Sequence, residues 1–107
     1  MEEIRRKYID WVRTGKKLRF LRTNNVNLRR YVCWFTRYDE GNCSGECESC
    51  DFEMDESISR LELAKAFTTT ENVIFNWERG ITSPELEDLL LYAEICGITL
   101  EDIIVFD

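Results

Sequence analysis

The chain has 107 residues, 44% of them hydrophobic and 12% aromatic, which suits one folded domain and excludes a disordered polymer. It has no histidine, which excludes Ser-His-Asp and Cys-His catalysis and every His-ligated metal site. The net charge of −7 is unevenly spread: residues 1–38 carry 11 Lys/Arg against 3 Asp/Glu, a net +8, and residues 39–107 carry 3 against 18, a net −15. That polarity fits a basic face that meets a polyanion, or two halves that neutralise each other.

The first predicted element is an amphipathic helix over residues 2–13, with Ile4, Tyr8, Trp11 and Val12 on one face. The start Met1-Glu2-Glu3 has no apolar stretch behind it, and no run of 18 apolar residues exists. Neither a secretory signal nor a membrane span is therefore expected, and a cytoplasmic location is. Thr14-Gly15 is expected to break or bend this helix. A second helical stretch follows, with Leu18, Phe20 and Leu21 apolar among Lys16, Lys17, Arg19 and Arg22, and Asn24-Asn25 ends it as a turn.

Residues 28–38 are ambiguous. Their β-branched and aromatic content favours a strand, while Leu28, Tyr31, Val32 and Phe35 also fit one helical face. The turn signal Asp39-Glu40-Gly41-Asn42 tips the reading toward a strand, as in a hairpin. Residues 39–56 have the composition of a loop, and a loop of that length in a small domain needs something to organise it.

Four of the five cysteines lie in this region. Cys43-x3-Cys47-x2-Cys50 provides three closely spaced thiols, and Cys33 is the nearest candidate for a fourth. Without a secretory signal such a cluster reads as metal ligands rather than disulfides. Four soft ligands and one C-x2-C knuckle fit structural zinc; an iron–sulfur cluster on the same thiols and free or redox-active thiols are the alternatives. Cys96, apart from the rest, reads as a small buried apolar residue.

From residue 57 the start and stop signals are explicit. Ser59-Arg60-Leu61-Glu62 is a capping box that opens a helix ending at Phe67. Thr68-Thr69-Thr70 is a turn, and Thr70 caps a helix from Glu71 to Arg79 with Ile74 and Trp77 inward and Gly80 as its stop. Ser83-Pro84 starts the next helix, with Leu86, Leu89, Leu90, Ala93 and Cys96 expected on its inner face and Gly97 at its end. Thr99-Leu100-Glu101-Asp102 starts a last short one.

This pattern resembles the helix-turn-helix core of the Cro/C1-type (XRE) repressor family. The resemblance runs over residues 57–106, from Ile58-Ser59-Arg60-Leu61-Glu62-Leu63-Ala64 through Trp77-Glu78-Arg79-Gly80 to Gly97-Ile98-Thr99-Leu100. It implies a mainly α, five-helix repressor-like domain over residues 1–107, with an extra N-terminal helix and residues 28–56 as a cysteine-rich insertion. It also implies double-stranded DNA as partner, a homodimer on near-palindromic sites, and regulation of transcription. Thr68 stands where the family usually has glycine, so it must tolerate a positive φ or alter the turn.

A helix in the major groove reads base edges through its N-terminus and exposed face. With Ile74 and Trp77 inward, Glu71, Asn72, Phe75 and Asn76 are left outside, and asparagine can bond adenine in a bidentate way. The resemblance puts Glu71, Asn72 and Asn76 at base-contacting positions and Arg60 beside a phosphate. Thr70 sits at the helix start, Val73 or Phe75 can meet a thymine methyl, and Arg79 can reach the backbone. Because the recognition half is acidic, the basic supply is expected from Lys16, Lys17, Arg19, Arg22, Arg29 and Arg30.

No Gly-rich phosphate loop, organised carboxylate pair or small-molecule site is evident, so no enzyme is expected. Two other readings stay open: a protein-interaction module such as an antirepressor, and a metal- or redox-responsive regulator. Finally, Ile103-Ile104-Val105-Phe106 cannot all face one core. Either part of this run, with Leu91 and Ile95, forms a dimer patch, or Val105 and Phe106 fold back over the basic N-terminal helix.

Overall fold

The structure, a computed structural model, describes residues 8–38, 41 and 57–107. Among these residues it is helical throughout: α1 (Trp11–Asn24), α2 (Val26–Cys33) running into a π-helical turn (Trp34–Tyr38), α3 (Arg60–Ala66), α4 (Glu71–Arg79), α5 (Leu86–Cys96) and α6 (Leu100–Ile103). None of these helices is long and apolar enough to cross a membrane.

The first helix does not follow its expected bounds. Residues 2–7, half of that expected helix, lie outside the described residues, and Ile9 pairs in an isolated antiparallel bridge with Phe106. Asp10 then caps α1, its carboxylate accepting from the Arg13 N–H at 3.0 Å. Gly15 does not stop the helix, which runs straight through it. Its role is close approach: a Cβ there would lie 2.5 Å from the Trp77 carbonyl oxygen and 2.6 Å from that of Glu78. Gly80, at φ +73°, meets the other side of the same contact, where a Cβ would lie 2.7 Å from Val12 Cα. α1 accordingly packs more extensively on α4 than on any other element.

Residues 28–38 are helical, which corrects the lean toward a strand. Asn25 ends α1 and caps α2, its side chain accepting from the Leu28 N–H at 2.9 Å. Leu28 and Val32, one turn apart, are fully buried, and α2 lies against α5 and α3. Tyr31 and Phe35 pack ring on ring at 4.8 Å, the same i, i+4 relationship on the flank of the helix. The Thr36 hydroxyl donates to the Val32 carbonyl at 2.8 Å where the helix widens into its π turn. Packing against two neighbours outweighs a β-leaning composition. The part of the expected insertion that carries Cys43, Cys47 and Cys50 lies outside the described residues.

The later caps match the sequence closely. The Ser59 hydroxyl accepts from the Glu62 N–H at 3.1 Å and the Glu62 carboxylate accepts from the Ser59 N–H at 3.1 Å. Arg37 reaches across from the π turn to the same carboxylate at 2.8 and 3.1 Å. Burial pushes the Glu62 carboxyl up, but the bonds from Arg37 and Ser59 outweigh it and hold the group below the usual carboxylate range. The start of α5 differs from expectation. Its cap is Glu85, whose N–H donates to Asp88 at 3.1 Å, and not Ser83.

The inner face of α5 also differs. Leu89, Tyr92, Ala93 and Cys96 are buried, whereas Leu86 and Leu90 are 58% and 47% exposed. Tyr92 is the largest fully buried side chain among the described residues, set edge-on against Phe67 at 4.8 Å and against Trp77 at 6.4 Å. Cys96 is buried as expected, and burial pushes its thiol up to about 11. Its carbonyl accepts from the side-chain amides of Asn25 and Asn27, both at 3.4 Å, which ties the end of α5 to the start of α2.

At the C-terminus the backbone folds back along the N-terminal segment, while Phe106 stays 44% exposed. The Asp10 N–H donates to the Val105 carbonyl at 2.8 Å, the Val105 N–H to the Thr14 hydroxyl at 3.0 Å, and the Asp107 N–H to the Tyr8 carbonyl at 3.0 Å. Ile103 is fully buried, and Ile104 and Ile95 pack against the core. Of this run Ile103 and Ile104 are used within the chain, and Phe106 is left at the surface.

Candidate nucleic-acid interface

Helices α3 and α4 are joined by a turn in which Thr68 takes φ +56°, the only positive φ outside glycine among the described residues. The turn closes by the Thr68 N–H to the Lys65 carbonyl at 3.3 Å and the Thr69 N–H to the Ala64 carbonyl at 2.9 Å. Of the two alternatives for Thr68, the positive φ is the one adopted, and threonine tolerates it because the tertiary structure fixes both helices. Thr70 caps α4, its hydroxyl accepting from the Val73 N–H at 3.4 Å.

On α4 the inward face is Ile74, Trp77 and Glu78. Val73 also turns partly inward, against the core. Glu71, Asn72 and Arg79 are exposed, and Phe75 and Asn76 are half-buried. Glu71, Asn72 and Phe75 line an open cleft with Arg60 of α3, about 350 Å³ in volume. The Phe75 ring carries two guanidinium groups, that of Arg60 at 5.2 Å and that of Arg79 at 5.5 Å from its centroid. Both are within cation–π range, so the ring gathers positive charge at the middle of the exposed face.

Arg60 is also bound below. Its Nε donates to Glu78 Oε1 at 3.0 Å, which orients the guanidinium along the mouth of the cleft. The same carboxylate takes a two-pronged bond from Arg22 of α1, Nε to Oε2 at 2.7 Å and Nη2 to Oε1 at 3.0 Å. The third donor of Arg22 goes to the Ile58 carbonyl at 2.7 Å. Arg22 and Glu78 are both buried, so Arg22 is not part of a solvent-facing basic supply. A signal for this was present: Glu78 lies one turn after Ile74 and so shares its inward face, where a carboxylate needs a cation.

The remaining expected cations divide by position. Gly15 and Arg22 mark the side of α1 that faces α4. At about 100° per residue Lys17 lies roughly half a turn away, on the far side of α1, and Lys16 about a third of a turn away, on its flank. Both line a separate groove with Arg13, Phe20 and Val105. Arg29 lines a small recess with Arg22, Ser57 and Ile58, at the approach to α3. Arg19 and Arg30 are exposed.

Of the four expected metal ligands only Cys33 is described, half-buried at the end of α2. Among the described residues no group of three His, Cys, Asp or Glu is placed to hold a metal ion.

A helix-turn-helix family model matches residues 56–103, which is the span of α3 to α6 together with the approach to α3. No curated protein and no solved structure matches the chain. A capped helix, a tight turn, a second helix with one buried face and one polar face, and two supporting helices agree with that match element by element. Residues 56–103 are a helix-turn-helix domain of the Cro/C1 type, a DNA-binding fold.

Proposed function

We propose that the protein is a sequence-specific transcriptional regulator of the repressor type that lays α4 in the major groove of double-stranded DNA. The observation that supports this best is the outer face of α4, where Asn72, Phe75, Asn76 and Arg79 stand together opposite the buried Ile74 and Trp77. Asn72 and Asn76, one turn apart, read adenine edges by two-pronged bonds. Phe75 offers an apolar edge to a thymine methyl. Thr70 and Glu71 lie at the helix start, where Thr70 bonds a phosphate and Glu71 accepts from a cytosine amino group. Val73 supports the helix from its inner side.

Arg60 and Arg79 supply charge toward the phosphates on either side of the Phe75 ring. They are few, so affinity is expected to be modest and sequence discrimination to rest on the base contacts. This role needs no catalytic group, and none is assigned.

The test is selection of the full-length protein against random duplex DNA, followed by titration of the selected site. Asn76→Ala is expected to lose about 1–3 kcal/mol at that site and to relax preference at one base pair. Arg79→Ala is expected to weaken all sequences alike and to flatten the salt dependence. Failure to enrich any sequence, or an Asn76→Ala variant with unchanged selectivity, overturns the reading.

A further inference from the structure

The outer face of α1 has a composition that DNA recognition by α4 does not use. Arg13, Lys16, Lys17, Phe20 and Val105 line an open groove of about 410 Å³ there, and Phe20 is 60% exposed within it. Because Gly15 and Arg22 hold the opposite side of α1 against α4, this groove faces away from α4. An aromatic ring flanked by three cations and an aliphatic residue suits an occupant that brings both apolar side chains and carboxylates. Phosphate alone leaves Phe20 and Val105 without a counterpart.

The same chain carries a surface of that description. On α5, Leu86 and Leu90 are exposed one turn apart, and the exposed Glu87 and Glu94 lie on the same outer side. Leu86 and Leu90 are not part of the core, which α5 reaches through Leu89, Tyr92, Ala93 and Cys96. The two faces cannot meet within one chain, since both are exposed on the folded domain.

We infer that the groove of Arg13, Lys16, Lys17 and Phe20 on one copy receives the Leu86–Leu90 face of α5 from a second copy, joining the domains head to tail. Leu86 and Leu90 then cover Phe20, while Glu87 and Glu94 meet the three cations. Charge decides against the two symmetric pairings. Groove on groove opposes Arg13, Lys16 and Lys17 to themselves, and α5 on α5 opposes Glu87 and Glu94 to themselves. A head-to-tail contact leaves each end with one open surface, so it continues into a row or closes into a ring. This assembly is independent of the DNA reading, and it is tested without DNA.

The experiment is sedimentation of the full-length protein over a range of concentrations at low and high salt. The wild type is expected to associate beyond a dimer, and the association is expected to weaken as salt rises. Phe20→Asp places a carboxylate against the acidic face, and Leu90→Asp places one against the aromatic ring. Each variant alone is expected to be a folded monomer by circular dichroism and sedimentation. Mixed, they are expected to form a dimer of one copy of each and nothing larger, because one intact groove and one intact α5 face remain. A symmetric interface gives no rescue on mixing. A wild type that stays monomeric at every concentration, variants that associate like the wild type, or a mixture with no dimer overturns the proposal. So does a Phe20→Asp variant that keeps self-association and loses DNA affinity, which assigns the groove to nucleic acid.

Discussion

Arg22 and Glu78, 56 positions apart in sequence, are joined by two hydrogen bonds of 2.7 and 3.0 Å in the interior between α1 and α4. With Arg60 on the same carboxylate, Glu78 binds the helix before the turn, the helix after it, and α1 in one network. The energetic weight of such a network lies in the cost of breaking it, since each lone buried charge has lost its water.

Glu78→Ala is therefore expected to destabilise the domain by about 3–5 kcal/mol, measured by denaturant unfolding. Arg60→Ala leaves the Arg22–Glu78 pair intact and is expected to cost far less. Equal costs for the two variants contradict the order of importance assigned here.

The strained turn gives a prediction of opposite sign. Thr68 holds φ +56°, a region where β-branched residues are disfavoured by about 1–2 kcal/mol. Thr68→Gly removes that strain and adds freedom to the unfolded chain, so a net gain of about 0.5–1 kcal/mol is expected. A fall in melting temperature shows instead that the threonine side chain makes a contact of its own.

The hydroxyl of Tyr92 is buried without a hydrogen-bond partner among the described residues, beside the rings of Phe67 and Trp77. Burial pushes the phenol up, so it stays neutral at any ordinary pH. Removing an unpaired buried hydroxyl relieves a desolvation penalty of about 1–3 kcal/mol, offset by the small void it leaves. Tyr92→Phe is expected to be neutral or stabilising in a thermal melt. A loss above about 1 kcal/mol indicates a bridging water between the hydroxyl and its polar neighbours.

The cysteine spacing leads to a compositional test. If the spacing of Cys33, Cys43, Cys47 and Cys50 serves structural zinc, purified protein holds about one zinc per chain. Cys47→Ser and Cys50→Ser are each expected to release it while α3 to α6 keep their helical signal. Metal analysis that finds none, with all four thiols open to thiol reagents, removes the site; iron in its place assigns a cluster.

The sequence was most legible where short-range chemistry decides. Ser59 with Glu62, Thr70, Gly80 and Gly97 mark helix ends by local bonds and backbone preference, and the structure repeats them. It was least legible where a distant partner decides. Gly15 reads as a stop until the carbonyls of Trp77 and Glu78 are seen against it, and Arg22 reads as a surface cation until Glu78 claims it. Residues 28–38 carry strand-like side chains, yet α5 and α3 offer a surface that only a helix presenting Leu28 and Val32 can fill. On α5 the apolar character of Leu86 and Leu90 suggests an inner face, whereas the buried stripe runs through Leu89, Tyr92, Ala93 and Cys96.

The paired glycines at the α1–α4 contact bear on how such a domain can change. Where Gly15 admits the carbonyls of Trp77 and Glu78, and Gly80 admits the backbone of Trp11 and Val12, two main chains touch with no side chain between them. At this point the pose of α4 is set by main chain against main chain, with no rotamer to choose. Positions 72, 75, 76 and 79 lie away from that contact, so substitutions there can change the outer face of α4 without altering the backbone contact that holds the helix.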